Sequence, residues 1–174
     1  MTVTVTTLNN GLRIATDPME GVRTASVGVF VNAGARHETI EGHGVAHFLE
    51  HMAFKGTDRR NARGIAEEIE AVGGHLNAYT AREQTAYYAK VLKEDVGLAV
   101  DILADILQRS VFADDELERE RTVILQEIGQ AHDTPDDIIF DHFQERAFPD
   151  QAMSRPVLGR PEIIERIRPS SLRP

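Results

Sequence analysis

His47-Phe48-Leu49-Glu50-His51 is the stretch from which the organisation of this chain can be worked out. On an α-helix, residues four apart lie ~40° apart around the axis, so His47 and His51 would point to the same side, one turn apart. Two imidazoles in that arrangement can bind one Zn²⁺ ion through ring nitrogens at ~2.0–2.1 Å. Glu50 lies on the same side, where its carboxylate can accept a proton from water. The five residues therefore predict two metal ligands and a base on one helix.

The alternative is that this short pattern arose by accident. The chain has 7 His among its 174 residues, so a chance match has a probability on the order of a few per cent. A third ligand, a substrate site and a suitable fold elsewhere in the chain would distinguish the two interpretations.

The composition is that of one globular domain with a hydrophobic core, since 41% of the 174 residues are hydrophobic. There is no Cys, so a metal site must use His and carboxylate ligands. The formal charge of −9 disfavours nucleic acid as a partner and favours cationic molecules. The sequence shows neither an apolar run of ~18–20 residues nor a signal peptide, so we expect no membrane span and a cytoplasmic protein.

Strand patterns come early in the chain and helix patterns come late. The predicted strands are a hairpin at residues 4–16 around an Asn-Asn-Gly turn, a strand at 25–33 and a strand pair at 75–92 that turns at 81–84. The predicted helices lie at about 44–54, 61–72, 93–108, 114–131, 136–147 and 162–167. This order indicates an α+β fold with a mostly antiparallel sheet covered by helices.

Two of these helices have apolar residues at helical spacing, which predicts their buried sides. On the helix at 93–108 the predicted stripe is Val96, Ala99, Val100, Leu103 and Leu107. On the helix at 114–131 it is Val123, Ile124, Leu125 and Ile128.

The helix at 114–131 also offers the best candidate for a third metal ligand. Glu120 and Glu127 are seven residues apart, so they lie on one helix face within ~20°. Glu127 lies inside the apolar run, where a carboxylate is costly unless it is paired or bound to a metal. Because catalytic zinc usually has three protein ligands, Glu127 is the predicted third ligand.

This ligand set, with Glu127 following 76 residues after His51, resembles the zinc signature of the pitrilysin/insulinase family of metallopeptidases. The resemblance extends over nearly the whole chain. Within the family, the chain is most similar to the mitochondrial-processing-peptidase branch and its bacterial relatives. Further blocks that resemble the family are LNNGLR at 8–13, the strand at 27–31, MAFKGT at 52–57, GHLNAYT at 74–80 and REQT at 82–85. The implied fold is one half of that family's fold, with helices on one face of the sheet.

The resemblance implies a role for each candidate residue of the metal site. His47, His51 and Glu127 would bind Zn²⁺, Glu50 would be the general base, and Glu120 would be a supporting acidic residue beside a zinc-binding histidine. The alternative interpretations are surface histidines and ordinary helix glutamates. For Glu120, the alternative is an ion pair with the neighbouring arginines at 119 and 121. The histidines at 43, 75, 132 and 142 are interpreted as structural or surface residues.

The resemblance also implies a track for a peptide substrate. Asn77 and Ala78 would bind an extended peptide that adds as a strand to the edge of the sheet. Asp137 and Asp141, four residues apart on the next helix, would accept an arginine side chain of the substrate. Ordinary sheet residues and a solvated acidic helix face are the alternatives.

The implied function is that of a zinc-dependent endopeptidase, in the cytoplasm of a bacterium, which hydrolyses peptides bound as an extended strand. Members of the family have two homologous halves, and this chain resembles the N-terminal catalytic half. It ends at Pro174, before the last helix and strand of that half. We therefore expect residues 1–174 to form a single, truncated domain that lacks the second half.

The expected partners are a peptide substrate and either a homologous second half or another copy of the chain. Nucleic acid and membrane are not expected partners. The alternative function is an inactive interaction or structural subunit, or a fragment that needs a partner half. Inactive subunits typically lack part of the ligand set, which is complete in this sequence.

Overall fold

The computed structural model describes residues 3–173, in which helices and antiparallel strands confirm the predicted α+β class. The strands are β1 (Thr4–Thr7), β2 (Arg13–Thr16), β3 (Thr24–Val31), β4 (His75–Thr80) and β5 (Thr85–Leu92). The α-helices are α1 (Val45–Ala53), α2 (Ala62–Ala71), α3 (Val96–Gln108), α4 (Asp114–Asp133), α5 (Pro135–Ala147) and α6 (Pro161–Ile164). Short 3₁₀ turns lie at Ala35–His37, Lys93–Asp95, Ala152–Ser154 and Pro169–Ser171.

The strands form two antiparallel sheets. β1 and β2 are a hairpin whose turn contains Gly11 at a φ of +86°, a left-handed conformation that glycine adopts without strain. The second sheet has the order β3-β5-β4, so the predicted strand pair at 75–92 forms its centre and one edge. No strand in the described part of the chain pairs with the outer side of β4. β4 is thus available as a sheet edge beside α1.

Helices cover one face of the three-stranded sheet and leave the other face open. On the covered side, α1, α2 and α3 pack on the inward residues of the strands. That core is formed by Ala53, Ile65, Ile69, Ala78, Tyr87, Ala89, Val91, Ala99, Ile102, Leu103 and Ile106. On the open side, the Phe30 side chain of β3 is 68% exposed. This one-sided packing is typical of an antiparallel sheet in an α+β protein.

A second core joins α1 to the helices near the end of the chain. It contains Phe48, Met52, Leu117, Ile124, Ile128, Ile164, Ile167 and Leu172. Because Phe48 and Met52 are fully buried in this core while Ala53 belongs to the first, α1 lies between the two. The helix with the His-Phe-Leu-Glu-His sequence is therefore fixed by packing on both sides.

The predicted burial is wrong for two residues. Val100 is 49% exposed and Val123 is 38% exposed. Each lies ~100° around its helix from the centre of the buried side, next to Ala99 in α3 and next to Ile124 in α4. The buried residues of α3 are instead Ala99, Ile102, Leu103, Asp105 and Ile106, and those of α4 are Leu117, Glu120, Ile124 and Ile128.

Among residues 3–173, the helices are all too short or too polar to cross a bilayer.

Candidate metal centre

Two helices far apart in sequence bring the three predicted metal ligands together. His47 and His51 project from α1 towards Glu127 on α4, because the second core packs these helices against each other. The Glu127 Oε2 atom lies 3.7 Å from His47 Nε2 and 3.4 Å from His51 Nε2. One ligand atom from each residue lies within 4.8 Å of the others. The three side chains thus point at one common space.

The dimensions of this group fit a zinc ion. With metal–ligand bonds of ~2.0–2.1 Å, two ligand atoms of a tetrahedral site are separated by roughly 3.3 Å. The nitrogen–oxygen distances of 3.4 and 3.7 Å are near this value. Two imidazole nitrogens and one carboxylate are also a donor set of catalytic zinc sites, which leaves a fourth position open. The residues present therefore suit zinc in both geometry and chemistry.

Burial keeps His47, the first candidate ligand, in the neutral form that can bind a metal. His47 is only 8% exposed, and desolvation, helped by the neighbouring His51 ring, lowers the His47 pKa to about 4. The imidazole is therefore neutral at pH 7, with a nitrogen lone pair free for a metal. Its Nδ1 atom is buried without a hydrogen-bond partner in the described structure, so no hydrogen bond at that nitrogen orients the ring.

The second candidate ligand, His51, lies beside an acidic side chain. Glu120 Oε2 lies 2.9 Å from His51 Nδ1, and the other carboxylate oxygen lies 2.6 Å from Lys55 Nζ. When Nδ1 donates to Glu120, the His51 Nε2 lone pair faces Glu127 and the metal position. Glu120 is thus located where the supporting residue was predicted. The alternative pairing with adjacent arginines is absent from the described structure, since Arg119 pairs with Asp115 and Glu116 and Arg121 pairs with Glu118.

Glu50 lies near the candidate ligands, since the charges of His51 and Glu127 act on its carboxyl group, but it is not part of the group that could hold a metal. Its Oε2 atom is buried and lacks a hydrogen-bond partner among the described residues. Burial raises the pKa of the Glu50 carboxyl, against the opposing effects of nearby Thr80 and His51. A carboxylate that binds a proton more readily than usual is suited to a general base.

The predicted peptide track runs along the free edge of the sheet. Asn77 is exposed on β4, whereas Ala78 is buried against the core. The Ala78 N–H donates to Asn77 Oδ1 at 2.8 Å. At the end of the strand, the Thr80 hydroxyl donates to the Ala46 carbonyl of α1 at 3.4 Å. The edge therefore passes directly beside the metal-ligand helix.

The predicted acidic pair on α5 is in two different environments. Asp137 is exposed. Asp141 accepts a hydrogen bond of 2.6 Å from Arg82 Nη2, and the Arg82 Nε group also donates to the Met153 carbonyl. Asp141 is thus already paired with an arginine of the chain itself.

Sequence reasoning missed two residues that hold the metal-ligand helix. The Glu38 carboxylate, which the sequence does not single out, accepts the Gly44 and Ala46 N–H groups at the start of α1. Lys55, just after the end of α1, pairs with Glu120. The spacing of four residues after His51 could have indicated Lys55, whereas no local pattern indicates Glu38. His43, interpreted as structural, is buried and bonds the Pro156 carbonyl.

Comparisons with known proteins agree on one family over most of the chain. A family model described as Insulinase (Peptidase family M16) matches residues 13–161. The probable β subunit of mitochondrial-processing peptidase from Arabidopsis thaliana is 52% identical over 163 residues, which are 94% of this chain and 31% of that protein. The β subunit from Saccharomyces cerevisiae is 49% identical, over 95% of this chain and 36% of that protein. An uncharacterized zinc protease from Rickettsia bellii is 47% identical, over 92% of this chain and 39% of that protein.

Solved structures show the same fold at lower sequence identity. A protease from Helicobacter pylori superposes with a TM-score of 0.92 and 24% identity, over 98% of this chain and 42% of that chain. A peptidase M16 inactive domain from Pseudomonas fluorescens has a TM-score of 0.90 and 16% identity, over 99% of this chain and 42% of that chain. The chain thus spans about a third of the length of the curated relatives it matches.

Proposed function

The chain belongs to the insulinase family, peptidase family M16, and from this premise we propose that residues 1–174 form the zinc-binding catalytic domain of an endopeptidase. The observation that carries the proposal is the convergence of His47, His51 and Glu127, whose ligand atoms lie within 4.8 Å of one another. Two of these residues are on α1 and one is on α4. If the His-x-x-Glu-His pattern were accidental, there would be no reason for a carboxylate from a distant helix to lie beside both histidines.

The protein groups divide the chemistry between them. His47, His51 and Glu127 would hold zinc, which when bound polarises the scissile carbonyl and lowers the pKa of water to ~7. Glu50 accepts a proton from the attacking water on its unpaired Oε2 atom and delivers it to the nitrogen of the leaving amine. Glu120 keeps the His51 ring in the orientation that leaves Nε2 towards Glu127.

The proposed substrate is a peptide bound in extended form on the outer edge of β4. Backbone groups near Asn77 and Ala78 would pair with it, because an unpaired strand edge is a template for a further strand. Asp137 is exposed and would contact a basic side chain of the peptide. Asp141 already pairs with Arg82, so it could bind a basic side chain of the peptide only if its carboxylate contacted both groups. The net charge of −9 is in accord with a cationic substrate.

Hydrolysis would require a homologous second half, from additional polypeptide, a partner chain or a second copy. The support for this proposal is that the chain matches only about a third of its curated relatives. Large apolar side chains on the surface, among them Ile139, Phe140 and Phe143 on α5, are also suited to contact with another protein surface. A location in the bacterial cytoplasm stays a prediction from the sequence.

The second candidate function is an inactive interaction or structural subunit, and the Pseudomonas fluorescens structure is described as a peptidase M16 inactive domain. That domain is only 16% identical, so its similarity concerns the fold. The complete ligand group in the present chain favours the active interpretation.

Zinc content and peptide hydrolysis measured on matched variants test the proposal. Glu50→Gln should retain zinc and lose ~10²–10⁴-fold in hydrolysis in the presence of a complementing second half. His51→Ala should lose zinc, whereas His132→Ala, which changes an exposed histidine of α4, should retain it. Stoichiometric zinc in His51→Ala, or unchanged hydrolysis in Glu50→Gln, would contradict the assignment.

A further inference from the structure

The helix that carries the metal ligands lacks a cap of its own. Its N-cap residue is Gly44, at a φ of +96°, which has no side chain to accept the N–H groups of the first turn. The first four N–H groups of any α-helix have no partner within the helix. α1 is only nine residues long, and helices of that length are marginal on their own. The start of α1 must therefore be held from outside.

The Glu38 carboxylate provides this external cap. One oxygen accepts the Gly44 N–H at 2.8 Å and the other accepts the Ala46 N–H at 2.6 Å. Both bonds are charge-assisted, and the negative charge lies at the positive end of the helix dipole. Glu38 precedes the helix by several residues, so the arrangement differs from a local capping box.

Glu38 is itself fixed by parts of the chain that are distant in sequence. The Arg155 guanidinium donates to the Glu38 backbone carbonyl at 2.7 Å. The 3₁₀ turn just before Glu38 is attached to the β4–β5 turn, since the Ala35 N–H donates to the Ala81 carbonyl at 3.1 Å. Glu38 and the turn before it therefore connect the β4–β5 turn to the start of α1.

This connection ends one residue before the first metal ligand. His47 follows Ala46 directly, and Glu50 lies one turn further along the same helix. His47 Nε2 lies 3.7 Å from Glu127 Oε2. If the first turn of α1 moved, the His47 ring would move away from Glu127. Packing restrains the opposite side of α1 through Phe48 and Met52. At the N-terminal end, Val45 packs against the second core, and Glu38 provides the side-chain acceptor for the Gly44 and Ala46 N–H groups.

We propose that Glu38 is a positioning residue of the metal centre, which fixes α1 so that His47 and Glu50 keep their places relative to Glu127. The proposal rests on the proposed function only in that the metal is zinc. It assigns to Glu38 no contact with metal or substrate.

The test compares Glu38→Gln and Glu38→Ala with Glu41→Gln, which removes the same charge from an exposed residue of the same loop. Zinc affinity is measured by competition with a chromophoric chelator. Hydrogen exchange of the amides at 44–49 is measured on the metal-free protein. We expect zinc affinity to fall by roughly 10–100-fold in both Glu38 variants, as for other residues that orient metal ligands. Exchange at the start of α1 should become faster, and Glu41→Gln should match the unmodified protein within about twofold.

Unchanged zinc affinity in both Glu38 variants would overturn the proposal, even if their melting temperatures fell. So would unchanged amide exchange at 44–49. A failure of the unmodified protein to bind zinc would instead refute the proposed function, and the exchange experiment would still decide whether Glu38 fixes α1. The two failures are therefore distinguishable.

Discussion

Replacing Glu120 by Gln should weaken zinc binding without unfolding the protein. The substitution keeps the size and shape of a side chain that is 8% exposed and lies on the buried face of α4. It removes the negative charge that lies 2.9 Å from His51 Nδ1 and 2.6 Å from Lys55 Nζ. The amide can still accept one hydrogen bond from His51, but without the charge that strengthens it.

The expected size of the effect follows from the geometry. The 2.9 Å separation is that of a well-formed hydrogen bond, and a hydrogen bond to a charged group contributes roughly 1.5–3 kcal/mol. Since about 1.4 kcal/mol corresponds to a tenfold change in affinity, loss of the charge should weaken zinc binding by about 10–100-fold. Losses of this size are usual when outer partners of metal-bound histidines are changed. Lys55, whose side chain is 30% exposed, can recover part of its hydration.

Chelator competition at pH 7 measures this change, with Glu118→Gln as the matched control. Glu118 lies on the same helix with a side chain that is 68% exposed, where its partner is Arg121, so its substitution should leave zinc affinity unchanged. Circular dichroism of both variants without metal checks that the fold is intact. Zinc affinity in Glu120→Gln equal to that of the unmodified protein would refute the view that this carboxylate orients His51.

Three further outcomes are expected for stability. The Arg59 and Arg60 guanidinium groups lower the pKa of Asp101 to about 2, below its unfolded value of ~3.9. Asp101 should therefore contribute stability above pH ~4 that is lost as the pH falls through about 2. Melting temperatures across this range should show the loss, and in Asp101→Asn this pH-dependent contribution should be absent. Gly44→Ala should destabilise by about 2–5 kcal/mol in urea unfolding, because the φ is +96° and a Cβ would lie 2.6 Å from Ile164 Cδ1; a cost below about 1 kcal/mol would contradict this. Gly97→Ala, in α3 with nothing within 4 Å of the added Cβ, should instead stabilise by up to about 1 kcal/mol, and destabilisation would show that the helix needs a glycine there.

The sequence alone predicted the order and type of the elements because these depend on local patterns. The strand pair at 75–92 contains β-branched and aromatic residues typical of strands and turns at residues 81–84, where the structure has the β4–β5 turn. The predicted helix at 61–72 agrees with α2, whose N-cap Asn61 accepts the Gly64 N–H at 2.7 Å. Such signals need no knowledge of the rest of the chain. They are the signals on which sequence-based predictions are most secure.

The buried faces of helices were harder to predict, because their orientation depends on the surfaces they meet. An apolar side chain on the flank of a helix satisfies the same spacing rule as one at its centre. In α4, the correct buried side includes the carboxylate of Glu120 and excludes Val123. Burial of that carboxylate is favourable because His51 on α1 and Lys55, just after the end of α1, both contact it. Hydrophobicity alone could not identify it.

Local sequence patterns likewise identify the candidate ligands but not the residues that hold them in place. The ligands on α1 were accessible to sequence reasoning because one helical turn determines their spacing. Their supports come from other elements: Glu38 at the N-terminal end of α1, and Glu120 near its C-terminal end. With both ends held, the candidate ligand atoms lie at separations close to those of a tetrahedral site. Little of the binding free energy would then be spent on ordering the helix, so the metal-free protein should retain α1.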